Sequence, residues 1–252
     1  MEFFDSHAHY NDEKFEEDLS EVIKKIKDAN VTKVINAGYG LASSKKALEQ
    51  VKKYDFMYAI CGISPNDITE NCKEELKEIE KMNDAVAIGE IGLDYYWNKE
   101  NKDLQKEVFV EQIKIANKLN KPIVIHSRDA YLDTIEILKK YPVNKKGVFH
   151  CCQLNLELVK EAVSLGYYIS LAGPITFKNA KNSDEVIKLI PNDKLLIETD
   201  SPYLAPEPNR GTRNDSSNLI WIAKKIANVK EMTVEEVAKI TYENTKRVFE
   251  IK

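Results

Sequence analysis

The sequences PIVIH at residues 122–126 and GVFH at residues 147–150 are short apolar runs that each end in a histidine. Short runs of this kind are typical of parallel strands that are buried on both faces of a sheet. Similar runs recur along the whole chain and predict eight strands, at residues 3–7, 31–36, 56–61, 85–89, 122–126, 147–150, 167–170 and 195–198.

Amphipathic segments lie between the predicted strands. In the segment before the fifth strand, Leu104, Val108, Ile115 and Leu119 share one helical face. This alternation, with no linker rich in Pro, Gly or Ser, favours an α/β fold, a single (β/α)8 TIM barrel of the metal-dependent hydrolase type over residues 1–252. A doubly wound open sheet is the alternative, although no GxGxxG follows the first strand to indicate a dinucleotide site.

The composition is that of an ordinary soluble globular chain. Hydrophobic residues make up 43% of the 252 residues and charged residues 31%, which excludes disordered, collagen-like and disulfide-scaffold classes. No apolar run approaches the roughly 18 residues that cross a bilayer, and MEFFDSHAHY at the N-terminus does not resemble a signal peptide. The four cysteines form no CxxC pair. We therefore expect a cytoplasmic protein with reduced thiols and no membrane partner.

The charge balance argues against a broad basic face. Lys and Arg number 37 against 41 Asp and Glu, giving a net charge of −4, so a polyanionic substrate would be held locally by metal ions or a few cations. Arg128, Arg210 and Arg213 follow predicted strands at the barrel mouth and are candidate phosphate contacts. A loop-holding ion pair is the alternative for each of them. Lys178 is a weaker phosphate candidate.

All four histidines and two carboxylates lie at the carboxyl ends of predicted strands. They are His7, His9, Glu90, His126, His150 and Asp200. These strand ends converge on one mouth of a barrel, where barrel enzymes hold their active sites. Six ligands exceed the four of a structural zinc site and suit two divalent ions, Mg²⁺, Mn²⁺ or Zn²⁺, that share one bridging carboxylate. One ion with a histidine that does not touch it is the alternative.

Several motifs resemble those of the TatD family of metal-dependent deoxyribonucleases. In chain order they are FFDSHAH, GEIGLDYY, IHSRDA, ITFKNAK and ETDSPYLAP, followed by NRGTRN. The resemblance runs from residue 3 to the C-terminal helix. It implies an amidohydrolase-like (β/α)8 barrel and hydrolysis of DNA phosphodiester bonds, typically as a 3′–5′ exonuclease on single-stranded or damaged ends.

The resemblance also implies roles for the six residues. It makes His7, His9 and Asp200 ligands of one ion, His126 and His150 ligands of the other, and Glu90 the bridge. Two such ions generate the attacking hydroxide from water. Glu90 and Asp200 are thus the candidate catalytic residues, with Asp200 orienting the water and accepting its proton.

Two motifs depart from the family pattern. A GxHPH-like motif usually follows the third strand, whereas residues 62–66 read GISPN, with Ser64 and Asn66 in place of histidines. After His150 the chain reads HCCQLN instead of a Cys-Phe-x-Gly-like run. We interpret Cys151 as a buried thiol, not a nucleophile, because a metal-bound His150 is not free to activate it.

Aromatic residues follow Glu90 closely in the sequence. Tyr95, Tyr96 and Trp97 either stack on a terminal base, as in proteins that bind single strands, or pack under loops, and packing is the more common case.

The leading function is therefore a metal-dependent deoxyribonuclease with DNA as its partner. The alternative is a metal-dependent ester or amide hydrolase, such as an aminoacyl-tRNA deacylase or a small-molecule amidohydrolase, because the same chemistry attacks a carbonyl carbon. A non-catalytic nucleic-acid-binding protein or scaffold is disfavoured because all six ligands are present. We expect no stable protein partner and a monomer, since a closed barrel has no free sheet edge.

Overall fold

A computed structural model describes residues 1–252, which form one eight-stranded sheet in which each strand pairs in parallel with the next. The strands are β1 (Phe3–Ala8), β2 (Val31–Ala37), β3 (Met57–Cys61), β4 (Ala87–Asp94), β5 (Ile123–Arg128), β6 (Gly147–Phe149), β7 (Tyr168–Leu171) and β8 (Leu195–Ile197). The strand order equals the chain order, unlike that of a doubly wound sheet. The fold is the predicted (β/α)8 barrel, nearly closed.

One α-helix follows each strand, and a ninth ends the chain. The helices are α1 (Leu19–Asp28), α2 (Leu41–Lys53), α3 (Cys72–Glu80), α4 (Lys102–Lys118), α5 (Tyr131–Lys140), α6 (Leu156–Ser164), α7 (Ser183–Leu189), α8 (Leu219–Lys230) and α9 (Val234–Val248). Helix α9 contacts both β1 and β8 and so covers the seam of the barrel. None of these helices has the length and apolar character needed to cross a membrane.

Strand β4 is longer than the sequence predicts. It continues to Asp94, so Glu90 lies inside the strand and not after a strand that ends at residue 89. Glycines are uncommon in strands, but Gly92 is required here. It has a φ of +140° and pairs with His126, and a Cβ at this position would lie 2.0 Å from the carbonyl oxygen of His126. The glycine therefore lets β4 and β5 approach closely beside the predicted ligands.

The buried face of helix α4 only partly matches the predicted one. Val108 is buried, and Ile115 and Leu119 pack partly buried against the core, but Leu104 is exposed. Gln105 and Gln112, which the pattern did not select, are fully buried. Gln105 accepts from the backbone N–H of Asp94 at 2.8 Å and donates to its carbonyl at 3.0 Å. Gln112 forms the same pair of bonds with Ile63, at 2.8 and 2.9 Å. The two side-chain amides thus form hydrogen bonds with the backbone N–H and C=O groups at the carboxyl ends of β3 and β4. The predicted site lies at this end of the barrel.

The gap between β8 and β1 is closed by the segment that follows β8. The backbone N–H of Asp200 donates to the carbonyl of His7 at 3.0 Å, and the N–H of His9 donates to the carbonyl of Ser201 at 2.7 Å. These bonds fix Asp200 next to the two histidines of β1.

Asp5 ties this segment to the inside of the barrel. Its buried carboxylate accepts from the backbone N–H of Thr199 at 3.0 Å and from the Thr199 hydroxyl at 2.5 Å. The hydroxyl of Ser216 is a third donor, at 2.6 Å. A buried acceptor with several donors stabilises a fold mainly because its removal leaves those donors unpaired.

Removing the Asp5 carboxylate should therefore destabilise the barrel. We expect Asp5→Ala to lower the free energy of unfolding by about 3 kcal/mol, measured by urea denaturation with a chelator present so that metal binding contributes nothing. Asp55→Ala, at an exposed position, is the control and should change it by less than about 0.5 kcal/mol. A loss below about 1 kcal/mol for Asp5→Ala would contradict this role.

Candidate metal centre

The six predicted metal ligands lie together at the carboxyl end of the barrel. Their donor atoms form three overlapping groups, each with all atoms within 4.8 Å of one another. The groups are His7, His9 and Glu90; His7, His150 and Asp200; and Glu90, His126 and His150. The structure thus brings together every residue that the strand-end pattern selected.

Glu90 lies between two pairs of histidines. Its Oε1 atom is 2.9 Å from Nδ1 of His126 and 3.4 Å from Nε2 of His150. Its Oε2 atom is 3.5 Å from Nε2 of His7 and 3.7 Å from Nε2 of His9. We call the two sides the His126–His150 half and the His7–His9 half of the cluster. One carboxylate oxygen faces each half, as a bridging carboxylate requires.

Asp200 belongs to the His7–His9 half. Its Oδ1 atom is 3.2 Å from Nε2 of His9 and 3.9 Å from Nε2 of His7. The residue has a φ of +55°, a left-handed conformation that aspartate adopts more readily than most residues. Asp200 is the only carboxylate besides Glu90 whose oxygen faces the centre of the cluster.

The imidazole nitrogens approach each other closely enough to require a cation or proton between them. Nε2 of His7 is 3.2 Å from Nε2 of His9, and Nδ1 of His126 is 3.3 Å from Nε2 of His150. The other nitrogen of His7, Nδ1, is buried and has no hydrogen-bond partner. Imidazole nitrogens and carboxylate oxygens that converge in this way fit a divalent cation.

Two carboxylates behind the histidines were not selected from the sequence. Asp94 Oδ2 lies 2.9 Å from Nε2 of His126, and Glu198 Oε1 lies 3.3 Å from Nδ1 of His150. Both carboxylates are fully buried. The sequence could have indicated them. Metal-binding histidines usually donate their second N–H to a carboxylate or carbonyl, and Asp94 and Glu198 lie in the motifs GEIGLDYY and ETDSPYLAP.

The charges of the cluster shift several pKa values. Burial opposes ionisation of Glu90, but the surrounding histidines, His150 first, hold its pKa well below the ordinary value. Burial likewise opposes charging of His126, yet hydrogen bonds to Asp94 and Glu90 raise its pKa to about 8. Burial opposes ionisation of Asp94, but hydrogen bonds from His126, the backbone of Trp97 and Asn66 together lower its pKa to about 2.

The cluster forms the floor of a cleft of about 950 Å³. Arg128 lines the cleft, and its guanidinium carbon lies 4.0 Å from the ring centroid of Tyr96 and 5.4 Å from that of Trp97. Tyr96 is 46% exposed and Trp97 65% exposed. The expectation that these aromatics pack under loops is therefore wrong for Tyr96 and Trp97. It is right for Tyr95, which is half-buried against the core and donates its hydroxyl to Asp133.

The other candidate phosphate contacts do not line the cleft. Arg213 donates to both carboxylate oxygens of Asp18, so it is the loop-holding ion pair that was the alternative. The guanidinium of Arg210 lies 4.2 Å from the ring centroid of Phe177, outside the cleft lining. Lys178 is exposed and is also absent from the lining. Of the three candidate arginines, Arg128 alone lines the cleft.

Ser64 and Asn66, which replace the family's usual histidines, line the cleft. Asn66 donates to Asp94 Oδ2 at 3.1 Å and accepts from Asn98 at 3.0 Å. Its amide therefore supports the carboxylate that contacts His126.

Cys151 also lines the cleft and is half-buried, so it is more accessible than expected. Burial and the nearby Asp200 carboxylate raise the pKa of its thiol well above the ordinary value. A protonated thiol is a poor nucleophile, which agrees with the expectation that Cys151 does not attack substrate.

The comparisons with known proteins agree with this geometry. A family model described as TatD related DNase matches residues 4–250. The Bacillus subtilis (strain 168) protein YabD, described as an uncharacterized metal-dependent hydrolase, is 46% identical over 252 residues, covering 98% of this chain and 99% of that protein. Escherichia coli (strain K12) YcfH, described in the same way, is 36% identical over 256 residues, covering 100% of this chain and 97% of that protein.

A solved structure gives the same result. The crystal structure of YJJV, a TatD homolog from Escherichia coli K12, superposes with a TM-score of 0.93 and 25% sequence identity, covering 99% of this chain and 98% of that chain. The fold and the donor cluster thus define a metal-dependent hydrolase built on a (β/α)8 barrel. The chain belongs to the TatD-related family, as the motifs indicated.

The raised pKa of His126 predicts that metal binding releases protons. Below pH 8, His126 carries a proton in the metal-free protein, and a cation must displace it. Affinity for Mn²⁺ should therefore rise with pH from pH 6 to 8, by at least about tenfold per pH unit, because Glu90 and Glu198 also raise the pKa of His150 well above its ordinary value despite burial. Calorimetric titrations in buffers of different ionisation enthalpy measure both effects, and an affinity independent of pH would contradict the prediction.

Proposed function

We propose that this protein is a metal-dependent deoxyribonuclease that removes nucleotides from the 3′ ends of single-stranded or damaged DNA, as a monomer in the cytoplasm. The observation that carries the proposal is the placement of Arg128. Its guanidinium lies in the same cleft as the carboxylate–histidine cluster and beside two exposed aromatic rings. Together they offer a partner for a phosphate, a face for a base and a site for hydrolysis.

The charge of the cluster supports two divalent ions, Mg²⁺, Mn²⁺ or Zn²⁺. Glu90, Asp94, Glu198 and Asp200 each have an oxygen within 3.3 Å of a histidine nitrogen. When cations occupy the cluster, its imidazoles bind them as neutral ligands, so the four carboxylates supply the negative charge. Buried charges of one sign are costly without counter-charges, and two divalent cations would balance these four.

The ligand roles follow the two halves of the cluster. One ion would be held by the His7–His9 half together with Asp200, and the other by the His126–His150 half. Glu90 would bridge them, because one of its oxygens faces each half. Divalent cations held there would polarise the scissile bond and make a water molecule a stronger acid.

Residues of this chain would do the remaining work. Arg128 would bind a non-bridging phosphate oxygen, and Trp97 would stack on the terminal base. Asp200 would orient the attacking water and accept its proton. Its pKa is lowered because contacts with His9 and the other histidines outweigh burial, so it is ionised at neutral pH. The new bond joins the water oxygen to phosphorus, the bond from phosphorus to the 3′ oxygen breaks, and the proton passes to that oxygen.

Hydrolysis of an ester or amide is the competing activity, as in an aminoacyl-tRNA deacylase or a small-molecule amidohydrolase. A net charge of −4 and a single arginine in the cleft lining favour a small substrate more than a long polyanion. The same cluster could serve attack on a carbonyl carbon, so substrate choice is decided by experiment.

Digestion of labelled oligonucleotides tests the proposal directly. In single-turnover reactions with Mg²⁺ or Mn²⁺, a 5′-labelled single strand should shorten stepwise, and a 3′-labelled strand should release labelled mononucleotide at once. EDTA should abolish both reactions. Asp200→Asn, purified in parallel, should lower the rate at least about 100-fold, which excludes a contaminating nuclease. No cleavage by protein shown to bind both ions would overturn the proposal and favour the ester or amide hydrolase.

The arginines allow a paired test of phosphate binding. Arg128→Ala should raise KM for the oligonucleotide about 10- to 100-fold, because it removes a charge-assisted hydrogen bond to phosphate. Arg213→Ala should leave KM unchanged, since Arg213 is bound to Asp18 outside the cleft. Equal effects of the two substitutions, or none for Arg128→Ala, would show that Arg128 does not contact the substrate.

A further inference from the structure

The histidines of the cluster differ in what their outward nitrogens contact. In the His126–His150 half, both rings are backed by buried carboxylates. In the His7–His9 half, Nδ1 of His9 lies 2.9 Å from the carbonyl of Ala37, and Nδ1 of His7 has no partner. The two halves therefore receive unequal support from the protein.

Asp94 contacts the nitrogen of His126 that faces away from the cluster. Its Oδ1 accepts from the backbone N–H groups of Tyr96 and Trp97, both at 2.9 Å. Its Oδ2 accepts from Asn66 at 3.1 Å and contacts Nε2 of His126 at 2.9 Å. Glu90 Oε1 lies equally close to Nδ1, at 2.9 Å, so a neutral His126 without a cation has an acceptor on either side. A cation held beside Glu90 would take the Nδ1 lone pair, and Asp94 then accepts from Nε2–H, which is the tautomer that such a cation needs.

Glu198 has the corresponding place behind His150. Its Oε1 accepts from the backbone N–H of Cys151 at 2.7 Å and contacts Nδ1 of His150 at 3.3 Å. Its Oε2 is buried without any partner. When a cation takes the Nε2 lone pair of His150, Glu198 is the acceptor for the proton on Nδ1.

We infer that Asp94 and Glu198 are positioning residues that hold His126 and His150 in the cation-binding tautomer, so that the His126–His150 half depends on them and the His7–His9 half does not. Partners of this kind also make an imidazole more basic, and their loss typically costs 10- to 100-fold in metal affinity. The inference uses the two-cation occupancy of the proposed function but is independent of the substrate.

Asp94→Asn is the decisive variant because either orientation of the new amide creates a conflict. An NH2 group in the place of Oδ1 would face two backbone N–H donors, which cannot change. An NH2 group in the place of Oδ2 would face Asn66, which can rotate, and His126, which can move its proton to Nδ1. That proton would then occupy the side on which the cation binds.

Zn²⁺ affinity measured by competition with a fluorescent chelator gives the first readout. The wild type should bind two ions. Asp94→Asn should weaken one binding step about 10- to 100-fold and leave the other within about threefold. Glu198→Gln should have a smaller effect on the same step, about three- to tenfold, because the carbonyl of Gln still accepts both bonds. Asp133→Asn, which changes a carboxylate bound to Tyr95 and Lys106 outside the cleft, should leave both steps within about threefold.

The tautomer of His126 gives a second readout that general damage to the fold would not produce. Long-range ¹H–¹⁵N correlation spectra at pH 9, with Zn²⁺ at a concentration that saturates the wild type, should show the Nε2–H tautomer of His126 in the wild type and Nδ1–H in Asp94→Asn. An unchanged tautomer, or equal weakening of both steps, would overturn the inference. If the wild type binds a single Zn²⁺, the two-cation proposal fails, and the inference is decided by whether Asp94→Asn weakens that ion.

Discussion

Carboxylates removed from water at the mouth of the barrel constrain the rest of this structure. Glu90 is 6% exposed, and Asp94 and Glu198 are not exposed at all. A carboxylate in such a place is tolerated only with hydrogen-bond donors or opposite charge. Each of these three carboxylates contacts an imidazole nitrogen, so the carboxylates determine how the histidine rings are oriented. Carboxylates and histidines thus alternate in the cluster and leave space for cations. Apolar side chains in their place could not bind cations.

The barrel beneath the cluster supplies the rigidity that such an arrangement needs. Its strands begin with apolar, buried residues, such as Phe3 and Phe4 in β1 and Ile123–Ile125 in β5, but near the mouth polar side chains connect them. Asp5 joins β1 to the segment after β8, and the amides of Gln105 and Gln112 hold the ends of β4 and β3. A site built from several strand ends keeps its geometry only if those ends are fixed relative to one another. These buried polar contacts are therefore part of the site although they touch no ligand.

The sequence was sufficient for those features that depend on periodicity and topology. Eight apolar runs predict the barrel, and parallel strands necessarily bring their carboxyl ends together, so His7 and His126 could be placed in one site although they are far apart in the chain. The features that it missed depend on tertiary partners. Gly92 interrupts the apolar run of β4, yet the strand continues because only glycine fits against His126. From the sequence alone, Gln105 would be expected on the surface, because its partner, the backbone of Asp94, is identified only by the tertiary structure. Whether an arginine of a loop points into the cleft likewise depends on its tertiary contacts, such as the ion pair between Arg213 and Asp18.

If the protein is the deoxyribonuclease proposed above, the distribution of charge in the cleft bears on the kind of DNA that it can use. With Arg128 as the one arginine of the lining, the protein neutralises few phosphates by itself, and binding of long nucleic acid draws most of its free energy from many such contacts. The carboxylates of the cluster would repel a phosphate until cations occupy it, so cations must bind before the substrate. A ligand with one phosphate at the cations, a second at Arg128 and a base against Trp97 makes use of every feature of the cleft. The end of a strand offers a free terminal base for Trp97, whereas a base inside a duplex must first be unstacked, and under the proposed function this favours ends over internal sites.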